Sequence, residues 1–263
     1  MPRPDVDHAK NAVRRRIWDT LARAQAAPAD VHGHIPAFSG ARAAADRLAQ
    51  LPVWKDARII KAVPDRAQLP VRARALADGK LVYMAVPRLA TPQPFRLLDP
   101  TRLPVSPEQA AAHQTAMQVG QPVGIDEMPP IDLVICGSVA VNRHGARLGK
   151  GAGYSDLEVA LLTEAGLISA ATTIATTVHP LQLVDHDLPE TDHDFRVDLI
   201  VTPHEVIPCT PARRPARLYW ADLSQEKIND IPVLRNLTER KSSDPPRPPS
   251  LTSTEPDPRS IGG

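Results

Sequence analysis

Cysteine is nearly absent: Cys136 and Cys209 are the only two in 263 residues. Two thiols make no disulfide framework, so the fold must rest on a packed core. Aromatic residues are scarce at 3 %, and Trp18, Trp54 and Trp220 read as packing residues rather than stacking platforms. A net charge of +1 supplies no overall pull toward nucleic acid or a membrane surface. No apolar run approaches the roughly 20 residues that a membrane span needs. The charged residues 1–16 lack the apolar core of a secretion signal. A soluble cytoplasmic protein without a membrane partner is expected, and no nucleic-acid partner is expected either, because no aromatic RNP-type motif is present.

What the chain does have is length, hydrophobic content of 42 % and 29 prolines, enough for one large α/β domain or two small ones. Residues 10–25 carry Val13, Ile17 and Leu21 at helical spacing with Lys10, Arg14, Arg15 and Arg16 interleaved. Taken alone, this segment is a solvated basic helix face; its functional reading is a cationic arm. Ser39 is placed to cap a second helix through Ala44, Leu48 and Leu51. Further helices are predicted over 70–78, closed by Gly79, over 107–118, and over 223–229. Apolar runs over 57–63, 81–86, 131–137, 172–178 and 196–201 read as strands. Continuous apolar strands alternating with helices predict a mainly parallel sheet with helices on both faces, a Rossmann-like three-layer sandwich. One domain is expected over 1–241. The Pro/Ser-rich remainder, 242–263, has too few apolar residues to offset chain entropy and reads as a disordered tail.

The most informative segment follows the 131–137 strand. Residues 145–156 contain Gly145, Arg147, Gly149, Lys150, Gly151, Ala152, Gly153, Tyr154 and Asp156, and a helix is expected from Leu157. A glycine loop entering a helix presents backbone amides and a positive helix end to an anion, usually phosphate. Arg147 and Lys150 add full charge. Asp156 is expected at the N-cap, where it could cap the helix or hold magnesium. The loop is neither a Walker A motif nor a dinucleotide fingerprint. Residues 188–195 are acidic, with Glu190, Asp192, His193 and Asp194; they could bind magnesium or form a polar turn. Neither cysteine has a metal-ligand neighbour, and His32 and His34 carry no assigned role.

In order and spacing these pieces resemble the 5-formyltetrahydrofolate cyclo-ligase family. The resemblance is carried by Lys10, Arg14 and Ile17-Trp18; by Gly79-Lys80 with Pro87-Arg88; by 147–154 with Asp156; by Leu188-Pro189-Glu190 with His193-Asp194; and by Val197-Asp198 with 201–203. Details around Pro36-Phe38 and 55–64 are nearest to the methenyltetrahydrofolate synthetase domain-containing subgroup. The resemblance implies an α/β sandwich and an ATP- and magnesium-dependent closure of 5-formyltetrahydrofolate to 5,10-methenyltetrahydrofolate. It implies that Lys10, Arg14 and the 149–154 loop (Gly149, Lys150, Gly151, Ala152, Gly153, Tyr154) bind ATP phosphates. Arg147 is the catalytic candidate, Asp156 and Asp194 the magnesium pair, and Tyr154 and Asp65 lie toward the folate. Tyr154-Ser155-Asp156-Leu157 stands where the family usually has Tyr-Tyr-Asp-Arg, so the departures fall on the substrate side. The alternatives are a non-catalytic nucleotide-binding or regulatory member, or an enzyme acting on a different formylated or carboxylated small molecule. From the sequence, Arg147→Ala is expected to abolish turnover, measured by product absorbance, while leaving the fold intact.

Overall fold

The computed structural model describes residues 4–210 and 213–243. The chain begins with α1 (Pro4–Arg23), α2 (Ala41–Leu48), α3 (Pro52–Asp56), β1 (Ile59–Ala62), α4 (Leu69–Ala77) and β2 (Leu81–Ala85). Then come β3 (Phe95–Leu98), α5 (Pro107–Ala110), α6 (His113–Val119), β4 (Gln121–Val123) and β5 (Leu133–Cys136). They are followed by β6 (Ala140–Asn142), β7 (Arg147–Leu148), α7 (Tyr154–Glu164), β8 (Thr173–Thr177) and β9 (Leu183–Val184). Finally come β10 (Leu199–Val201), β11 (Val206–Pro208), α8 (Gln225–Asp230) and α9 (Pro232–Ser243).

The main sheet has eight strands in the order β11-β10-β8-β5-β1-β2-β3-β4. Strands β10, β8, β5, β1 and β2 run parallel; β11 at one edge and β3 near the other run antiparallel to them, and the edge strand β4, antiparallel to β3, returns to the common direction. Side chains alternate between faces, as the two-residue period of a strand requires. Ile60, Ala62, Val82, Met84, Leu133 and Ile135 pack with α2, α4, α5 and α6 on one face. Tyr83, Ala85, Val134 and Cys136 pack with α7 and α9 on the other. The expected three-layer α/β sandwich is therefore the observed fold. A second sheet, β7-β6-β9, stands beside it. Ile17, Trp18 and Leu21 of α1 pack against Ala140, Leu148 and Val184 of that small sheet.

This topology fixes where a ligand can sit. From β1 the chain goes to β2 on one side and later returns to β5 on the other, so the strand order switches direction between β1 and β5. The crevice outside the carboxyl ends of strands at such a switch point is the usual ligand site of an open α/β sheet. Buried Arg72 of α4 pins the loop after β1: Nη1 donates to the carbonyls of Val63 (2.6 Å) and Asp65 (2.9 Å), and Nε to Ala111 (3.0 Å). Burial lowers its pKa to about 10, so it stays a cation at neutral pH.

Several boundaries differ from expectation. Gly40, not Ser39, is the N-cap of α2, in a left-handed conformation where a Cβ would come within 2.7 Å of Pro203. Ser39 is used instead for a backbone bond to Ala26, at 2.8 Å. The helix stops at Leu48, and Leu51 caps the short α3 because Pro52 starts a new turn. The 107–118 helix is broken into α5 and α6. The strand read over 196–201 pairs only from Leu199, and the last helix read over 223–229 is displaced to Gln225–Asp230 and followed by α9. α9 runs to Ser243, two positions into the region read as tail; 244–263 lie outside the described residues. No helix among the described residues is long and apolar enough to cross a membrane. Both thiols are buried, and burial with the nearby charge of Asp198 pushes Cys209 up to about 11, while burial also raises Cys136.

Lys61 is the exception in an apolar strand. Alternation points it toward α7, where its ammonium donates to the carboxylate of Glu158, both side chains being almost fully enclosed. Removing one partner of such a pair strands a charge, whereas replacing both with apolar groups restores packing. Lys61→Met should cost roughly 3–5 kcal/mol in urea unfolding, and Lys61→Met with Glu158→Leu should recover most of it; equal stability of single and double variants would contradict the argument. Alkylation at pH 8 should modify neither cysteine in native protein and both in denaturant, since raised pKa values keep the thiols protonated.

Candidate functional site

Strand β5 does not pass directly into the glycine loop. A hairpin of β6 and β7 intervenes, paired Ala140 to Leu148 and Val141 to Arg147. Its turn is organised by Asn142, whose Oδ1 accepts from the amides of His144 (3.1 Å) and Ala146 (3.0 Å). Gly145 therefore belongs to a hairpin turn, and the glycine loop before α7 shortens to 149–153. This loop runs into α7, whose N-cap is Gly153 at φ 70, with no side-chain cap. An uncapped helix start keeps its first-turn amides available to an anion. Asp156 lies within the first turn of α7, not at the cap as expected. Its carboxylate is thereby turned sideways, accepting from Arg147 Nη2 at 3.1 Å.

Arg147 arrives from β7 and is buried. Its guanidinium lies 4.1 Å from the centroid of the Phe195 ring and donates through Nη1 to the Gly137 carbonyl at 3.3 Å. Lys10 and Arg14 come from α1, one turn apart and on the side that continues into Ile17, Trp18 and Leu21. That packed face draws both cations inward, to 7 % and 8 % exposure, so the solvated-face reading does not hold. Lys10 Nζ donates to Asp194 Oδ2 at 2.5 Å. Arg14 Nε donates to the Gly149 carbonyl at 2.7 Å, and its Nη1 to Asn11 Oδ1 at 2.6 Å. Lys150 crosses the crevice to Asp65, Nζ to Oδ1 3.1 Å.

These groups surround a cleft of about 480 Å³ in which Lys10, Arg14, Arg147, the 149–154 segment, Asp156 and Asp194 are all wall residues. A second cavity of about 620 Å³ adjoins it. Asp65, Lys150, Tyr154 and Ser155 line both. The Lys150–Asp65 pair thus stands at the boundary between the two spaces. Arg88, His113 and Glu158 lie on the second cavity alone.

The charges influence one another. Burial lowers the pKa of Arg14. Burial works against the charge of Arg147, but Asp156 and Asp194 outweigh it and raise its pKa. Asp156 is raised by burial, offset in part by Arg147, with Asp194 adding like-charge repulsion. Burial would also raise Asp194, yet hydrogen bonds from Lys10 and Thr191 hold it below the ordinary carboxylate range. Asp156 and Asp194 both line the cleft and are the carboxylates that could hold magnesium, which takes one or two carboxylates plus substrate phosphates and water. Among the described residues no group of three or more His, Cys, Asp and Glu makes an all-protein cage.

Of the acidic 188–195 segment, only part reaches the cleft. Glu190 is turned to Arg196, with Nη2 to Oε2 2.6 Å, and Asp192 to Arg213. Asp194 and His193 face inward. Sequence reasoning missed Asn11, Thr191 and Glu158. Asn11 and Arg14, three residues apart on α1, offered a spacing clue. It also missed Leu218, Tyr219 and Lys227, which line the outer cleft and carry no local motif.

A model of the 5-formyltetrahydrofolate cyclo-ligase family matches residues 6–203. The methenyltetrahydrofolate synthase domain-containing protein of Mus musculus is 39 % identical over 246 residues, covering 89 % of this chain and 64 % of that protein. The chain thus spans less than two thirds of that relative's length. The mitochondrial 5-formyltetrahydrofolate cyclo-ligase of Arabidopsis thaliana is 35 % identical over 85 residues, 31 % of each chain. The NMR structure of Aquifex aeolicus 5,10-methenyltetrahydrofolate synthetase superposes with a TM-score of 0.51 over 81 % of this chain and 99 % of that one, at 18 % identity, a likeness of fold.

The enclosure of Arg147 changes what its removal does. Arg147→Ala would leave Asp156 without its cation and remove a donor from the Gly137 carbonyl, so a loss of stability is expected beside the loss of turnover. The variant should lose on the order of 3 kcal/mol in chemical denaturation, and Arg147→Lys less, since charge is kept while the planar fork is lost. An unchanged midpoint for Arg147→Ala would contradict the clamp.

Proposed function

The chain belongs to the 5-formyltetrahydrofolate cyclo-ligase family, and on that premise we propose that it converts 5-formyltetrahydrofolate to 5,10-methenyltetrahydrofolate at the expense of ATP. The observation that carries the reading is the convergence of Lys10, Arg14, Arg147 and Lys150 on an uncapped glycine loop beside a second cavity. The first cleft suits a triphosphate and the second a flat heterocycle, with Tyr154 and Asp65 between them as substrate-side residues. The formyl oxygen attacks the γ-phosphorus and the bond to the bridging oxygen breaks, releasing ADP. N10 then adds to the activated carbon and loses its proton, and the C–O bond breaks to release phosphate. Such chemistry asks for alignment and charge neutralisation rather than a covalent protein group. Lys10, Arg14, Lys150 and the 149–154 backbone would hold the phosphates, and Arg147 would stabilise charge on the transferred group. Asp156 and Asp194 are the residues that would hold magnesium, whose bound charge would help neutralise the phosphates.

The ion pairs suggest how the site accepts its ligand. Lys10–Asp194, Arg147–Asp156 and Lys150–Asp65 each join a phosphate-binding cation to an acid. Binding becomes an exchange of partners rather than the creation of new buried charge. A second reading, a nucleotide-binding member without turnover, is favoured by Leu157, an apolar side chain packed into the core where the family usually has a basic one.

With ATP and magnesium, methenyltetrahydrofolate should accumulate by absorbance, and chelation of the metal should stop it. Arg147→Lys should lower turnover by about 10²–10³ with ATP still bound. Absence of product from well-folded protein would sink the enzymatic reading, and calorimetric binding of ATP without the folate would select the second one.

A further inference from the structure

Lys227 sits on α8, beyond the residues that the family model matches. Yet it lines the same cleft as Lys10, Arg14, Arg147 and Lys150. Its Nζ lies 5.2 Å from the centroid of the Tyr154 ring. It also lies 3.3 Å from the point a Cβ on Gly153 would occupy, so any side chain at that N-cap would press on it. The helix start that leaves its amides to an anion is therefore also directly beneath an ammonium.

Among the described residues, Lys227 differs from its neighbours in having no carboxylate or hydrogen-bond acceptor on its ammonium, which faces the Tyr154 ring instead. Lys10, Arg147 and Lys150 each hold a carboxylate, and Arg14 bonds to Asn11 and the Gly149 carbonyl. No hydrogen bond or ion pair engages the Lys227 ammonium among those residues. Burial lowers its pKa, and the charge of Asp156 offsets this only in part. A partly desolvated ammonium facing a glycine loop has an unfilled requirement for an anion.

α8 is held where it can meet that requirement. Ser224 caps it, accepting from the Lys227 amide at 3.1 Å. Leu218 is buried, and Leu223 and Ile228 pack against the main core. Tyr219 stacks edge-on against His193 with ring centroids 4.7 Å apart, next to Asp194. The outer wall is thus a built part of the cleft.

We propose that Lys227 is a further polyphosphate-binding residue, by which the segment after the family-matched region closes the outer side of the nucleotide cleft. The inference rests on the nucleotide reading above and extends it to a residue outside the shared motif. Lys227 acts as a positioning cation on phosphate oxygens, not on the base and not on the folate.

Isothermal titration of the full chain with magnesium ATP, with inorganic tripolyphosphate and with 5-formyltetrahydrofolate tests it. Lys227→Gln should weaken ATP and tripolyphosphate alike by roughly tenfold, leave folate affinity unchanged, and melt unliganded at the wild-type temperature. Lys227→Arg should restore most of the loss. Affinities of Lys227→Gln within twofold of wild type for both phosphates would overturn the inference while leaving the nucleotide reading standing. Weakened ATP with unchanged tripolyphosphate would overturn the phosphate assignment. A wild-type chain that binds neither phosphate would overturn the nucleotide reading and this inference together.

Discussion

A crevice crowded with cations can be folded only if its most enclosed cations keep a counter-charge or an acceptor. That constraint organises the ligand-facing end of this molecule. The Lys10–Asp194 bond ties the first helix to the loop before β10, and the Lys150–Asp65 bond ties the glycine loop to the loop after β1. Arg147 and Asp156 tie β7 to α7. Each pair serves assembly, because it joins segments that meet only in the folded chain, and each keeps a cation on the wall of the cleft. Desolvation of a lone ion costs several kcal/mol, so pairing is what allows the charges to remain inside.

The sheet topology decides which segments are available for this. The strand order reverses between β1 and β5, so the loops that follow these two strands face each other across one crevice. The loop after β1 is short and pinned by Arg72, which sets Asp65 as a fixed post. The chain after β5 takes a hairpin before reaching the helix, which moves the glycine loop outward over the crevice. The hairpin also supplies the floor on which α1 packs, and α1 in turn delivers Lys10 and Arg14. The small sheet is the structural reason that a residue near the start of the chain takes part in the site.

Much of this was legible in the sequence. The apolar runs of β1, β2, β5 and β8 announce a buried parallel sheet, and the glycine loop with Arg147 and Lys150 announces residues that the fold brings to one cleft. What was illegible follows from the range of the interactions. The β6–β7 hairpin is so short that its alternation is lost among the glycines. Lys61 lies in an apolar run, and its counter-charge Glu158 is on a helix far along the chain, so nothing local marks the pair. Ser39 carries a capping side chain, but close approach of Pro203 makes the neighbouring glycine the usable residue. The inward turn of Lys10 and Arg14 depends on a packing partner, the small sheet, that periodicity alone does not reveal.

The substrate-side departures gain meaning from the same geometry. Leu157 packs into the core beneath α7, so that position contributes burial rather than charge. Ser155 lines both cavities, with a side chain much smaller than the tyrosine of the family pattern. The Tyr154 ring and the Lys150–Asp65 pair stand with it at the boundary between the two cavities. Tyr154 is itself faced by Lys227, so the outer wall meets the boundary between the cavities at that ring.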